Sequence, residues 1–318
     1  MESIVTVHRA THQFAPSLVA VPLQPIFISW QVASEQNELS QLGYEVQVGK
    51  DQFFENAWST GKQTSSQQLE VAVAGLEPKP RAVYFTRVRI ETELGMSQWS
   101  EPLRVEFAVS ADDIIAQPIR TESVHSSPAD LFRKEFYLPE APVSARLYFS
   151  AQGVTQPLVN GVVQGNEFLM PGWTAYQERL NLITFDVTNS LSKGENVIGF
   201  ELSDGWFRGK MGFMNKYDNY GIHTTVVAQL EVQLADGSTK TIVTDQSWKS
   251  SQSEVQFADI YDGCRVDFNK GQPGWSSNGF DDDGWGRAIE TDLGGTTLTP
   301  RVAAGISQVD RLPMTISK

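Results

Sequence analysis

Short runs in which apolar and polar residues alternate are the feature that most constrains the fold of this chain. In the run YFTRVRI, Val88 and Ile90 belong to one face and Arg89 to the other. A period of two is typical of a β-strand that has one face in a core and the other in water. Such runs recur along the chain with almost no helical pattern between them. The sequence therefore predicts an all-β protein, with helix limited to isolated turns such as 189–193.

The runs and the turn signals between them divide the chain into two tandem antiparallel β-sandwiches. Residues 1–109 hold short runs at the spacing of a sandwich of about seven strands. A polar, proline-interrupted bridge then leads into a second sandwich, 110–295, in which Asn160-Gly161 is a strong hairpin signal. We expect residues 296–318 to be the lead-in to a downstream domain that is missing here, because their apolar positions have no partner domain left to cover them. We expect them to be poorly ordered or to pack on the second sandwich as an extra strand.

Charge and composition exclude several classes of partner. The formal net charge of -13 argues against nucleic acid and anionic membrane surfaces, which both attract clusters of lysine and arginine. No apolar stretch approaches the roughly 18 residues of a membrane helix, and no signal peptide is visible at the amino terminus. We expect a cytoplasmic protein or a piece of a longer one, without nucleic-acid or membrane partners.

Two tryptophans follow glycines in the turns PGW and DGW, at Trp173 and Trp206. A glycine beside a large aromatic residue lets the backbone turn sharply and present the ring. An exposed ring with polar groups at its rim suits a flat ligand that carries hydroxyl groups. The alternative is that both rings only cover the ends of a sandwich.

The first sandwich resembles a fibronectin type III domain. The resemblance rests on ISW early in the chain, GLEPKPRAVYFTRVRI in a late strand and the final LGMSQWSEPLRVEF. Such domains mostly act as spacers or interaction platforms. The resemblance implies that Trp30, Trp58 and Trp99 are core or edge residues.

The second sandwich resembles the amino-terminal portion of bacterial α-L-rhamnosidases, glycoside hydrolase family 78, in which a fibronectin-like domain commonly precedes it. Ordered blocks carry the resemblance over nearly the whole domain: LFRKEFYLP, ARLYFSAQG, VNGVVQGNEFLMPGWTAYQERL, TFDVTNSLSKGENVIGFELSDGWFRGKMGF, YDGCRVDF and GWSSNGFDDDGW. The implied fold is a jelly-roll-like sandwich of the carbohydrate-module type.

The resemblance implies that this chain lacks the catalytic part of the family's enzymes. Enzymes of this family hydrolyse terminal α-linked rhamnose with inversion, and their two carboxylates lie in an (α/α) barrel that follows these sandwiches. The barrel's D-E-R-x-G-W motif does not occur in this sequence. The resemblance thus implies a non-catalytic accessory region that is inactive alone, whose partners are a rhamnose-containing glycan and the enzyme's own catalytic domain. Whether to class the chain as an enzyme stays open.

The resemblance also implies a site for rhamnose, which in some family members uses calcium. Its metal ligands correspond here to Asn166 and Glu167, with backbone oxygens from 215–220. This chain has Asn166 where most relatives have aspartate, which removes a formal charge from the site. Glu167 could restore that charge. We expect no required cofactor, with calcium as an option that the resemblance leaves open.

Two hypotheses follow. In the first, the second sandwich binds a sugar where the DGWFRG loop meets the PGWTAY and QGNE loops. The expected platform and its hydroxyl partners are Trp206, Trp173, Tyr176, Asn166, Asp204 and Arg208. We expect Trp206 to contribute most, because its turn can lift the indole out of the sheet. In the second hypothesis both sandwiches are purely structural and brace the catalytic domain.

Overall fold

The computed structural model describes residues 5–12, 18–36, 38–212 and 214–313, and the chain divides into two compact units after Ser110. Both units are built almost wholly of β-strands, and the longest helix in the described ranges has four residues. The all-β prediction is confirmed. Within these ranges no helix combines the length and the apolar character needed to cross a membrane.

The first unit is a sandwich of two sheets. Its strands are β1 (Val5–His12), β2 (Leu18–Val21), β3 (Phe27–Ser34), β4 (Gly43–Gly49), β5 (Trp58–Ser59), β6 (Val71–Ala72), β7 (Val83–Thr92), β8 (Gly95–Met96) and β9 (Leu103–Phe107). One sheet has the order β1-β3-β6, and the other has the order β2-β9-β7-β4-β5 with β8 beside β7. Neighbouring strands are antiparallel except β2 and β9, which are parallel.

The core of the first unit follows the predicted alternation. Val88 and Ile90 of β7 are fully buried and share an apolar cluster with Trp30 of the other sheet. Arg89 lies on the opposite face of β7, with its guanidinium 4.5 Å from the centre of the Trp99 ring. The period of two therefore separates core from surface as predicted.

The second unit contains the remaining strands and all the helices that occur among the described residues. Its strands are β10 (Ile119–Arg120), β11 (Asp130–Leu138), β12 (Ser144–Gln152), β13 (Val154–Val159), β14 (Val162–Val163), β15 (Glu167–Phe168), β16 (Arg179–Asp186), β17 (Gly194–Ser203), β18 (Thr225–Gln233), β19 (Thr239–Val243), β20 (Lys249–Gln252), β21 (Val255–Asp259), β22 (Gly263–Val266), β23 (Gly286–Arg287), β24 (Ile289–Glu290), β25 (Thr297–Pro300) and β26 (Ile306–Ser307). Its helices are α1 (Gly205–Arg208) and three short 3-10 turns at Ala111–Asp113, Thr188–Ser190 and Phe268–Lys270.

Two large sheets of the second unit enclose its core. One has the order β24-β10-β18-β12-β16-β25 with β19 beside β18, and the other has the order β14-β13-β17-β11-β20-β23. Phe149 of β12 meets Phe200 of β17 with ring centres 5.7 Å apart, and Trp248 packs against Phe200 at 6.0 Å. These buried aromatic residues come from both sheets, so the core lies between them.

The hairpin predicted at Asn160-Gly161 is present. These two residues join β13 to β14 and have positive φ values, +50° for Asn160 and +81° for Gly161. Two consecutive residues with positive φ are typical of the tight turn that matches the twist of paired strands.

The segment after residue 295 packs on the second sandwich. β25 extends the first large sheet by pairing in parallel with β16, and Leu298 lies opposite Leu180. β26 pairs with β15, which places Ile306 opposite Phe168. This is the second of the two arrangements predicted for the segment. Met314, one of its apolar positions, lies outside the described residues.

Candidate functional site

Two loops of the second unit meet in a small aromatic cluster outside the main core. Tyr176 comes from the loop before β16, while Phe207 and Tyr220 come from the loop after β17. The Tyr176 ring lies 5.2 Å from the ring of Phe207 and 4.9 Å from that of Tyr220. Burial of these rings fixes the two loops against each other.

Trp173 and Trp206 form a parallel pair at the edge of this cluster. Their ring centres are 6.3 Å apart and their planes differ by 6°. Trp173 is 55% exposed, whereas Trp206 is half-buried behind it. The indole N–H of Trp173 donates to the Tyr220 hydroxyl over 3.2 Å. The exposed indole is thus held at its face and at its edge. We call Trp173, Trp206 and Tyr220 the aromatic ledge.

The two glycine turns inferred from the sequence shape this ledge. Gly172 has φ +94° and Gly205 has φ +52°, a region that favours glycine. At Gly205 a Cβ atom would also lie 2.5 Å from a methyl carbon of Val154. A side chain at Gly205 would therefore displace the turn that carries Trp206.

Asp204 and Arg208 lie inside the protein instead of at the rim of the ledge. Both are buried, and Nε of Arg208 donates to Oδ1 of Asp204 over 2.7 Å. The other carboxylate oxygen of Asp204 lies 3.0 Å from Nδ1 of His125. Nη1 of Arg208 donates to the carbonyl oxygen of Ser123 over 2.8 Å. The sequence had assigned the two residues to ligand hydroxyls, but in the structure their polar atoms bond within the protein.

A third charged group is buried beside this pair. Asp130 accepts hydrogen bonds from the hydroxyl groups of Thr121 and Ser123, over 2.9 and 2.6 Å. Burial raises the pKa of Asp130, although these two bonds and the nearby Arg208 oppose the shift. Hydrogen bonds and opposite charges thus compensate the buried acidic groups under the loop.

Tyr176 and Asn166 also occupy places that differ from a ligand platform. Tyr176 is buried beneath the ledge, and its pKa is raised by that burial and by the neighbouring Tyr220. It supports the ledge and is not among the described residues that line the pocket beside Trp173. Asn166 is exposed, and it is not among the described residues that line the pocket beside Trp173.

A pocket of about 240 Å³ opens beside Trp173. Its lining comes from the loop before β16, from β16 and from the segment after β25: Phe168, Leu169, Met170, Pro171, Gly172, Trp173, Thr174, Arg179, Asn181, Arg301, Val302, Ala303, Ala304, Gly305 and Ile306. Arg179 is exposed there, and within the described part of the chain its side chain has no hydrogen-bond or ion-pair partner. The side-chain amide nitrogen of Asn181 donates to the carbonyl oxygen of Pro171 over 3.1 Å. The pocket therefore combines an aromatic face with polar groups at its rim.

The two residues expected as calcium ligands do not form a calcium shell as the structure places them. The carboxylate of Glu167 accepts hydrogen bonds from both terminal guanidinium nitrogens of Arg301, one of them over 2.8 Å. A cation would have to compete with this arginine for the same oxygens. Among the residues that the structure describes, no group of three or more His, Cys, Asp or Glu side chains is close enough to hold a metal ion.

Sequence reasoning missed two residues of the site. Arg301 reaches the pocket because β25 pairs with β16, a contact between segments more than a hundred residues apart. Tyr220 was considered only for its backbone, whereas its hydroxyl positions Trp173. No local pattern marks either role, since each depends on a loop or strand that is distant along the chain.

The fold and the ledge define a tandem pair of β-sandwiches with an aromatic site on the second one. Comparison with known proteins identifies the class. The family model described as "Alpha-L-rhamnosidase N-terminal domain" matches residues 140–310, and "Rha78A-like, N-terminal immunoglobulin domain" matches residues 8–111. The immunoglobulin fold shares its two-sheet architecture with fibronectin type III domains.

Curated relatives agree with this assignment. An α-L-rhamnosidase of Alteromonas sp. (strain LOR) is 31% identical over 304 residues, which cover 89% of this chain and 33% of the relative. An α-L-rhamnosidase of Formosa agariphila is 30% identical over 279 residues, covering 82% of this chain and 30% of the relative. The chain thus spans about a third of the length of these relatives.

A solved structure shows the same fold. The crystal structure of Streptomyces avermitilis α-L-rhamnosidase complexed with L-rhamnose has a TM-score of 0.90 and 20% identity, covering 96% of this chain and 47% of that one. The chain belongs to the α-L-rhamnosidase N-terminal domain family. Its two domains correspond to the amino-terminal region of family 78 enzymes, which is an accessory region.

Proposed function

We propose that this chain binds rhamnose-containing glycans through the aromatic ledge and thereby serves the catalytic domain of an α-L-rhamnosidase. The observation that carries the proposal is that Trp173 is exposed yet immobilised. Trp206 supports its face and Tyr220 holds its N–H. A ring held in place loses little conformational entropy when a ligand stacks on it.

The chemistry of the adjoining pocket fits a sugar. The apolar C–H face of a pyranose can cover the exposed side of the Trp173 indole. The guanidinium of Arg179 can donate to the hydroxyl groups at the edge of the same sugar. A carbohydrate ligand needs this combination, because its faces are apolar and its edges are polar.

We expect weak binding. The polar groups of the pocket replace the hydrogen bonds that water makes to the sugar, so only the difference contributes to affinity. A dissociation constant of about 0.1–1 mM, or roughly 4–5.5 kcal/mol, is expected.

The test is a titration with L-rhamnose followed by calorimetry. Trp173→Ala should weaken binding by at least about tenfold, because the stacking face is lost. Trp58→Ala is the matched control, since Trp58 is 40% exposed on the first unit and should leave binding unchanged. Equal affinities of wild type and Trp173→Ala would refute the ledge as the site.

We infer that hydrolysis belongs to a catalytic barrel of the parent enzyme and not to these sandwiches. The purified chain should therefore release no rhamnose from an aryl α-L-rhamnoside. Sustained release that follows the protein through successive purification steps would contradict this assignment.

A purely supporting role is the second candidate function. It is favoured by apolar side chains around the same pocket, since Phe168, Val302 and Ile306 are all more than half exposed. Exposed apolar groups in one place are typical of a surface that another domain covers. In that case the chain should show no affinity for L-rhamnose, while Phe168→Ser should weaken its association with a separately produced catalytic domain.

A further inference from the structure

A second pocket, of about 340 Å³, is lined in part by Tyr220, whose hydroxyl accepts the hydrogen bond from Trp173. It lies between the loop that follows α1, strand β10 and the loop after β24. Its volume is within the range of pockets that enclose small organic ligands, roughly 300–1,000 Å³. Tyr220 is the one residue of the ledge that also lines this pocket.

One wall of this pocket is apolar and rigid. Tyr176, Phe207 and Tyr220 contribute their rings, and Leu293 packs against the same cluster. Tyr176 and Phe207 are buried, so the wall is held by the core of the loops and does not depend on a ligand for its order.

The rest of the pocket is polar, and several of its groups are unused. Gln177 and Thr291 line the pocket, and within the described ranges their side chains have no hydrogen-bond partner. His223 also lines it and donates from Nδ1 to the carbonyl oxygen of Ser123 over 3.0 Å, and within the described ranges its Nε2 has no hydrogen-bond partner. An amide, a hydroxyl and an imidazole nitrogen together offer both donors and acceptors.

The charged groups of the pocket are largely satisfied by the protein. Arg120 donates to the carbonyl oxygen of Thr121 over 2.9 Å and lies 3.3 Å from the carboxylate of Glu122. Asp292 accepts a hydrogen bond from the backbone N–H of Gly294 over 2.7 Å. With no dominant charge and with free neutral donors and acceptors, the pocket suits a neutral polyhydroxylated ligand better than an ion.

The two sites share a wall. The Tyr220 hydroxyl accepts the hydrogen bond from Trp173, while the same side chain lines the second pocket. We propose that this pocket is a second saccharide subsite, which takes the neutral sugar next to a rhamnose stacked on the aromatic ledge. The inference rests on the proposed function. It adds that the ligand is an oligosaccharide end and not a single rhamnose.

The test compares L-rhamnose with rutinose, a disaccharide of L-rhamnose and D-glucose, by calorimetry on the whole chain. Wild type should bind rutinose about tenfold more tightly than rhamnose, because only the disaccharide fills both sites. Thr291→Phe should block the second pocket, abolish this advantage and leave the affinity for L-rhamnose unchanged. Thr239→Phe, an exposed threonine on β19, is the matched control and should change neither affinity.

A second variant tests the pocket without filling it. Gln177→Ala removes an exposed amide that has no hydrogen-bond partner among the described residues. It should weaken rutinose binding about threefold at unchanged affinity for L-rhamnose. If Thr291→Phe fails to fold, the affinities of Gln177→Ala decide whether the pocket is a subsite.

The outcomes separate the two proposals. If wild type binds neither sugar, the proposed function fails and the subsite fails with it. If wild type binds both sugars equally, or if rutinose keeps its advantage in the folded pocket variants, the subsite alone is refuted.

Discussion

The two units differ in which polar and charged side chains they bury. In the first unit an ion pair joins neighbouring strands on a sheet face, between Arg89 and Glu45 at 2.6 Å. Its core instead holds a histidine, His12, whose Nε2 lies 3.0 Å from the hydroxyl of Thr86. In the second unit two arginines are themselves buried, Arg133 and Arg208, each 1% exposed in its side chain.

The buried arginines of the second unit anchor loops instead of strands. Arg208 joins the loop after β17 to the loop before β11 through its bonds with Asp204 and Ser123. Arg133 donates to the carbonyl oxygen of Trp275 over 2.8 Å and pairs with Asp282, which fixes the loop before β23. A sheet fixes its own strands through backbone hydrogen bonds, whereas long loops need side-chain anchors. The second unit can therefore position an aromatic site, which its sheets alone would not provide.

The largest effect should come from breaking one of these anchors. Arg208→Ala leaves Asp204 buried beside Asp130 without its cation, and such a loss costs about 3–5 kcal/mol. Urea unfolding followed by hydrogen exchange, peptide by peptide, should show the loss in the second unit while the first unit keeps its stability.

The matched control is an exposed pair of the first unit. Lys62 lies 2.7 Å from Glu91, with its side chain 55% exposed. Lys62→Ala should cost no more than about 1 kcal/mol, because solvent screens this pair. Equal losses from the two substitutions would remove the distinction between anchored loops and surface pairs.

Acidification should destabilise the first unit through His12. Burial lowers the pKa of His12 from 6.5 to about 4 and outweighs the opposing effect of the nearby backbone at Phe27 and Leu103. Below pH 6.5 the unfolded chain therefore binds a proton that the folded chain refuses until about pH 4. Stability should fall across this window by at most about 3 kcal/mol. Urea unfolding of first-unit peptides at a series of pH values measures it.

Two comparisons sharpen the test. His12→Gln should flatten this pH dependence, while His8→Gln, at an exposed position of the same strand, should leave it unchanged.

In the second unit Asp130 acts in the opposite direction. Its raised pKa means that the folded state binds a proton more readily than the unfolded state, so this group favours folding as the pH falls.

The sequence predicted the sheets well and the site only in part. Alternation in β7 and the Asn-Gly turn at residue 160 are local signals, and the structure follows both. The DGW and PGW turns were also local, and both glycines adopt positive φ. The partners of Asp204 and Arg208 were not predictable in this way. A charged residue beside an aromatic turn looks the same in sequence whether it faces water or a buried counterion.

The same limit applies to the choice between the two tryptophans. Trp206 was expected to contribute most to binding because its turn lifts the ring, but Trp173 is the more exposed member of the pair. Which ring faces solvent is decided by the stacking order, with Trp206 packed on Tyr176 and Phe207. This order depends on contacts between two loops, and no periodicity in either loop encodes it.

The stacking order predicts unequal costs for the two truncations. Trp206→Ala should cost roughly 1–3 kcal/mol, less than a fully buried aromatic residue, because only part of its ring is covered. Trp173→Ala should cost under about 1 kcal/mol, since it removes one exposed ring and one hydrogen bond. Chemical unfolding of the two variants measures both values. A larger loss of stability for Trp173→Ala would contradict the inferred stacking order.

Chelation of calcium should have the smallest effect on binding and stability. It tests the metal that the family resemblance implies. Glu167 is paired with Arg301, so the positive charge that a calcium ion would supply is already provided by a side chain. We therefore expect EDTA to change neither the affinity for L-rhamnose nor the unfolding midpoint of the second unit. Arg301→Ala offers the converse, because it frees the carboxylate beside the exposed Asn166. If added calcium stabilises this variant but not wild type, Arg301 occupies the place of the cation. If EDTA weakens sugar binding by wild type, calcium is part of the site.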